Sequence, residues 1–229
     1  MMKNVLFLVA FCFVFSGAFA QTERQTQNRK FVDVITGDLA YITQYTDVKG
    51  SPFLFDNWLP GKLILNNGET LQNLQLKFDD YNNKFLLNKN DTGYQISPVV
   101  KQVVLYPGTA DTSTFLLFKS GFTGVDKLSP KTFVQVLVDG KNSLLKQYKK
   151  DLEEYTEYGN ATRFKRFNES FEYFAGVNGK YITIRFSRKT LEELMQEKWT
   201  AVSAYLTQNK LNGKDEKSFI EAFKFYNKL

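Results

Sequence analysis

The sequence contains no histidine and a single cysteine, Cys12, among its 229 residues. Histidine is the usual general base of serine and cysteine hydrolases, and imidazole and thiolate groups supply the ligands of nearly all zinc and copper sites. The sequence therefore argues against those classes of enzyme and metal site. The chemistry that is left uses paired carboxylates, a Ser–Lys pair, or calcium held by oxygen ligands.

Residues 1–20, MMKNVLFLVAFCFVFSGAFA, have the pattern of a secretory signal peptide. Lys3 precedes an apolar run at 5–15, and an A-x-A cleavage pattern ends at Ala20. The run is shorter than the roughly 20 apolar residues that a membrane-spanning helix needs. We therefore predict Sec-type export to the periplasm or the extracellular space, with no transmembrane anchor after cleavage. Because Cys12 lies inside this segment, the mature chain can form no disulfide.

Adjacent acidic residues occur in pairs, but neighbours on a strand point to opposite faces and neighbours on a helix diverge by about 100°. A glycosidase needs two carboxyl groups facing each other about 5 to 10 Å apart. We interpret the pairs as surface acids: Asp79 with Asp80, Glu153 with Glu154, and Glu192 with Glu193. No motif typical of a calcium loop is present, and Ser143 near Lys146 lies in no nucleophile motif. The sequence therefore assigns no catalytic residue, metal site or cofactor.

The net charge of +6 is a modest excess of basic residues. Lys146, Lys149 and Lys150 form one of the densest basic clusters, and acidic residues follow it directly. Such a cluster is typical of a solvated face. An exported protein whose aromatic residues lack the spacing of a nucleic-acid-binding module is not expected to have a nucleic acid as its partner.

Short β-prone runs separated by turn signals begin after a polar leader at 21–30. Leu74, Leu76 and Phe78 alternate with Gln75 and Lys77, which predicts a strand with one apolar face. Asn-Asn-Gly before this strand and Tyr-Asn-Asn after it predict two turns and a three-stranded meander.

Two later hairpins are predicted from Asp139-Gly140 and Asn178-Gly179, because both dipeptides favour two-residue turns. Apolar residues then recur at helical spacing after Ser187, with Thr190 and Glu193 as a candidate capping box and Asp215 as a later cap. The predicted fold is β-rich α+β, with an antiparallel meander sheet. The pattern leaves open whether that sheet is curved or forms a half-barrel. Two to three helices occupy about 188–229, within a single domain spanning 31–229.

The segment GSPFLFDNWLPGK at 50–62 concentrates aromatic, proline and glycine residues, and we call it the aromatic segment. Phe53, Phe55 and Trp58 have two open interpretations. They plug the end of a sheet, or they form a platform that binds a sugar or an apolar ligand. The exposure of Trp58 distinguishes the two.

Several stretches of the chain resemble a family of secreted Bacteroidetes proteins of unknown function. The resemblance begins with GSPFLFDNWLPGKLILNNGETLQNLQLKFDDYNNKFLL and continues in VLVDGKNSLLKQYKK, RFKRFNESFEYFAGVNGK and NKLNGKDEKSFIEAFKFYNKL, which closes on a Tyr-Asn pair. The resemblance implies secretion and one continuous domain. It implies no activity, ligand or catalytic residue.

These observations favour a secreted or cell-envelope protein with a non-enzymatic binding or structural role. The expected partner is an envelope protein, a glycan or an apolar ligand. One alternative is a periplasmic carrier of lipid or another apolar ligand, which requires a continuous apolar cavity. Another is a carboxylate-based hydrolase such as a glycosidase, which requires two acids, distant in sequence, to converge in one cleft.

Overall fold

The computed structural model describes residues 36–40, 45, 47–97, 100–108, 114–125, 128–159 and 162–229. The predicted signal peptide at 1–20 and the leader at 21–30 lie outside these residues. The predictions for those two segments therefore stay predictions.

Twelve strands in the described residues form one sheet, and a helical region follows it. The strands are β1 Thr36–Leu39, β2 Val48–Lys49, β3 Leu59–Leu65, β4 Thr70–Asp79, β5 Lys84–Lys89, β6 Thr92–Ile96, β7 Val100–Leu105, β8 Leu116–Lys119, β9 Val134–Val138, β10 Ser143–Thr156, β11 Arg163–Val177 and β12 Lys180–Ile184. The helices are α1 Arg188–Met195, α2 Trp199–Gln208 and α3 Glu216–Tyr226, with a 3-10 turn at Gln196–Lys198. This confirms the predicted fold class.

Eleven of the twelve strands form two meanders joined side by side, in the order β1-β6-β5-β4-β3-β7-β8-β9-β10-β11-β12, and β2 lies off this path, parallel to β11. Three strands separate β6 from β7 in this order, yet β6 ends at Ile96 and β7 begins at Val100. A flat sheet would hold β6 and β7 about 19 Å apart, whereas four residues of chain reach at most about 14 Å. The sheet must therefore be curved between β6 and β7, a shape that the sequence prediction included.

The concave half of the sheet encloses an apolar core centred on Phe78, Phe85 and Phe118. Leu74, Leu76 and Phe78 on β4 are buried on one face, as the alternation predicts. The prediction for the other face was incomplete. Lys77 is buried too, because the aromatic segment covers the end of β4.

Strands β10 and β11 form a hairpin of 14 and 15 residues, much longer than the short strands expected from the sequence. Ion pairs between the strands support its outer part, where Arg166 lies 2.9 Å from Glu153. The next hairpin, β11 to β12, turns at Asn178 and Gly179 with φ of 52° and 76°. It is the predicted two-residue turn.

The turn at Asp139-Gly140 is not the predicted two-residue turn, because four residues connect β9 to β10. Asn227, just after α3, enters this turn. Its Oδ1 accepts from the Asn142 backbone N at 2.9 Å, and its Nδ2 donates to the Asn142 carbonyl at 2.8 Å. A Cβ on Gly140 would lie 2.7 Å from Asn227 Nδ2, so glycine leaves room for the amide. We call this contact the Asn227 clamp.

The helices pack on the β9 to β12 end of the sheet through an apolar cluster that includes Leu144, Ala175 and Phe219. The N-cap of α1 is Ser187, whose hydroxyl accepts from the backbone N of Thr190. The predicted capping box at Thr190 was therefore placed three residues too late. Asp215 caps α3 as predicted. None of the helices in the described part of the chain is long and apolar enough to cross a membrane.

Candidate functional site

An open cleft of about 400 Å³ lies where the curved sheet brings the β4–β5 turn, the β6–β7 connection and the segment before β9 together. Its volume falls within the roughly 300 to 1,000 Å³ typical of small-molecule sites. Its lining combines amide, hydroxyl and ammonium groups with apolar side chains, and the apolar atoms contribute the larger share of its surface: Asn82, Asn83, Lys84, Phe85, Gln95, Ile96, Ser97, Val100, Ser120, Pro130, Lys131, Thr132 and Phe133.

Asn83 holds two walls of the cleft together. Its φ of 52° lies in the left-handed region, which asparagine tolerates better than most residues. Its side chain then bonds to the backbone of Phe133, 50 residues away, as a paired strand would. Phe133 N donates to Asn83 Oδ1 at 2.7 Å, and Asn83 Nδ2 donates to the Phe133 carbonyl at 2.9 Å. These two hydrogen bonds fix the segment at 130–133 against the β4–β5 turn.

The wall formed by residues 130–133 is also supported by a turn of its own. Ser129 Oγ accepts from the Lys131 backbone N at 3.3 Å, and Gly121 N donates to the Pro130 carbonyl at 2.7 Å. Between the walls, the rings of Phe85 and Phe133 meet edge to face with centroids 5.1 Å apart. The cleft therefore has an aromatic floor and polar sides, and its walls are held by hydrogen bonds.

The residues that line the cleft include no aspartate or glutamate. A carboxylate-based hydrolysis would need two such groups within the site. The cleft can bind polar groups and pack against an apolar face, but its lining supplies no acid and base pair. Its mixed lining also differs from the continuous apolar cavity that a lipid carrier requires.

The aromatic segment lies elsewhere, along the end of β4. Phe53 is buried, and its backbone forms an isolated antiparallel β-bridge with Asp79. Phe55 and Trp58 are half-buried. The ammonium of Lys77 lies 4.6 Å from the centroid of the Phe53 ring and 5.2 Å from that of Trp58. It also donates to the Asp56 carbonyl. The chain's own cation therefore occupies the space between two of the three rings proposed for ligand binding.

Burial lowers the pKa of Lys77, and the nearby Asp56 carboxylate partly offsets this effect. Cation–π contacts with both rings compensate for part of the lost hydration. This arrangement favours the structural role of the aromatic segment over a sugar-binding platform.

A buried ion pair fixes the aromatic segment to the long hairpin. Lys150 Nζ lies 3.2 Å from Asp80 Oδ1 and donates to the carbonyls of Ser51 at 3.0 Å and Phe53 at 2.8 Å. The interpretation of Asp79 and Asp80 as surface acids was wrong, because both residues are buried and the Asp80 side chain has no exposed surface. Beyond this ion pair, neither oxygen of Asp80 has a hydrogen-bond partner in the described chain. Burial therefore raises the pKa of Asp80 from its usual 3.8 to about 6, although Lys150 opposes this shift and Glu169 adds to it.

The shifted pKa predicts an unusual pH dependence for Asp80. Its folded pKa is above its unfolded pKa, so the folded state binds more protons between these values and stability falls as pH rises through them. The resulting cost is fully present above about pH 6 and is lost toward about pH 4. We expect Asp80→Asn to gain stability over the wild type near neutral pH and to lose that advantage as pH falls.

Thermal unfolding of both proteins at a series of pH values tests this expectation. Asp79→Asn is the matched control, because the Asp79 carboxylate accepts two hydrogen bonds from Asn82 in the β4–β5 turn. Its removal is expected to cost stability at neutral pH, the opposite sign to Asp80→Asn. A stability difference between Asp80→Asn and the wild type that does not change with pH would contradict the prediction.

The lysine cluster at 146–150 is not the solvated face that we predicted. Lys146 is mostly buried against the rings of Tyr148, Phe171 and Tyr173 and lies 2.9 Å from Glu216. Lys150 is buried beside Asp80, whereas Lys149 is the most exposed of the three and pairs with Glu172. The contacts with aromatic rings and the ion pairs explain why the ammonium groups of Lys146 and Lys150 are buried.

The remaining chemical candidates do not converge. Ser143 Oγ donates to the Tyr181 hydroxyl at 3.4 Å, while Lys146 bonds to Glu216, so these two residues do not form a Ser–Lys pair. Glu153 and Glu154 pair with basic residues of β11. The described residues contain no group of three or more acidic side chains that could hold a metal ion.

Comparisons with family models, with curated proteins and with solved structures find no match for this chain. The resemblance to secreted Bacteroidetes proteins therefore stays a prediction from the sequence motifs. The assignment of the cleft as a candidate site therefore depends on the geometry of this chain alone. Sequence reasoning missed Asn83 as a residue that shapes a site, although it correctly placed Asn83 in a turn.

Proposed function

We propose that this chain is an exported or cell-envelope protein that binds a polar ligand, such as a glycan, in the cleft without transforming it. The observation that carries the proposal is the lining of the cleft, which combines amides, hydroxyls and an aromatic floor with no carboxylate. Amides and hydroxyls match the donors and acceptors of a sugar. The half-buried ring of Phe133 offers a partly exposed face that suits the apolar C–H surface of a sugar.

Affinity electrophoresis in gels that contain soluble polysaccharides tests this proposal. The panel is dextran, xylan, polygalacturonate and chondroitin sulfate. We expect at least one of them to retard the mature protein. Thr132→Trp, which fills the cleft, is expected to abolish the retardation, and Thr114→Trp, which adds the same ring at an exposed position outside the lining, is expected to preserve it.

Two outcomes would overturn the proposal. Absence of retardation by every polysaccharide, together with lipid in the solvent extract of the purified protein, would favour the apolar carrier. Release of reducing sugar from any polysaccharide by the wild type would favour the hydrolase. Circular dichroism of both tryptophan variants establishes that each is folded before the gels are compared.

A further inference from the structure

We infer that the cleft selects an anionic saccharide, whose negative group lies between Lys84 and Lys131. This inference rests on the proposed function of the same cleft and adds the charge class of the ligand. It is carried by the placement of two exposed lysines on opposite walls. Lys84 follows the β4–β5 turn, and Lys131 belongs to the wall before β9.

Neither lysine has an ion-pair partner within the described chain. The residue paired with Lys84 across β4 and β5 is Asp79, which would be its natural partner. The Asp79 carboxylate is instead hydrogen-bonded within the β4–β5 turn. It accepts from Asn82 N at 2.9 Å and from Asn82 Nδ2 at 2.8 Å. The Asp79 carboxylate keeps its charge there, but within the described chain it makes no ion pair with Lys84.

Elsewhere in the described chain, lysines near the long hairpin are paired with acids, as Lys146 is with Glu216 and Lys149 is with Glu172. The cleft differs because it gathers two lysines and no acid in its lining. Two ammonium groups in the lining of one cleft favour an anion as the ligand. A carboxylate, phosphate or sulfate group satisfies this requirement, and ammonium groups bind all three.

The polar remainder of the lining specifies a saccharide rather than a simple anion. Gln95, Ser97 and Thr132 offer donors and acceptors beyond the two ammonium groups, and Phe133 offers a half-buried ring. Inorganic phosphate would leave these groups unused. A sugar acid engages the charge, the polar groups and the ring at once.

Isothermal titration with matched ligands tests the inference. The ligands are a galacturonate trisaccharide, its methyl ester, glucose 1-phosphate and inorganic phosphate. We expect the trisaccharide to bind at least about tenfold more tightly than its neutral ester, and this preference to shrink as salt screens the charges. Glucose 1-phosphate distinguishes phosphate from carboxylate as the anion, and inorganic phosphate alone is expected to bind weakly.

The variant K84Q/K131Q is expected to lose the preference for the acid, so that the acid and its neutral ester bind with similar affinity. Lys101→Gln, which removes an exposed lysine outside the lining, is the matched control and is expected to keep the preference. Equal binding of the acid and its ester by the wild type, abolished by Thr132→Trp, would overturn the anion preference and leave the cleft as a glycan site. No binding of any saccharide in the cleft would overturn the proposed function itself.

Discussion

Replacing Lys150 with methionine is expected to lower the free energy of unfolding by about 3 kcal/mol, because it leaves a buried acid without its counter-charge. The substitution also removes the donor to the carbonyls of Ser51 and Phe53. Asp80 is then forced toward its protonated form at neutral pH, which limits the cost but does not remove it. Urea denaturation of the mature protein measures the loss.

Lys149→Met is the matched control, since Lys149 makes a more exposed ion pair with Glu172. Such pairs contribute about 0 to 1 kcal/mol. Adding Asp80→Asn to Lys150→Met is expected to recover part of the loss, because the buried charge is removed together with its partner. Equal effects of the Lys149 and Lys150 substitutions would refute the role of the buried pair.

Gly61→Ala is expected to destabilise the protein by about 2 to 3 kcal/mol through overpacking. Gly61 lies on β3, where it pairs with Leu74 of β4 on one side and with Leu105 of β7 on the other. An added Cβ would lie 2.6 Å from the Val104 carbonyl oxygen and 2.7 Å from Leu76 Cδ1. The contact with the Val104 carbonyl requires the backbone to move where the two meanders join, whereas the contact with Leu76 requires its side chain to shift within the core.

Gly68→Ala separates this steric effect from backbone strain. Gly68 occupies a turn with φ of +87°, but no atom lies within 4 Å of the place that a Cβ would occupy. We expect its substitution to cost about 1 kcal/mol, the usual penalty for placing alanine in a left-handed conformation. Chemical denaturation compares the two variants, and a Gly61→Ala cost no greater than that of Gly68→Ala would contradict the close approach of β3 to β7.

Local signals in the sequence predicted much of the fold. Asn178-Gly179 fixes a hairpin because both residues accept positive φ, and the stripe of Phe219 and Phe223 marks the face that α3 buries. The outer part of β10 carries no such signal. Its sequence KKDLEE lacks alternation, and it is a strand because β11 pairs with it along its whole length.

Contacts between distant segments were beyond the reach of the sequence patterns. The pairing of β3 with β7 and the burial of Lys150 depend on elements that meet only in the folded chain. The cleft has the same origin, because the segments that line it are brought together by sheet curvature and by Asn83. The identity of Asn83 was visible in the sequence, but its partner 50 residues later was not.

The Asn227 clamp also affects the order in which the protein can mature. It joins positions 85 residues apart, so the turn before the long hairpin gains these hydrogen bonds only after α3 and Asn227 have been synthesised. Native contacts of such wide separation form slowly, because much of the chain must be ordered before they close. A nascent chain in which α3 has not yet formed therefore lacks both hydrogen bonds of the Asn227 clamp, and its β9–β10 turn is less stable than in the complete fold.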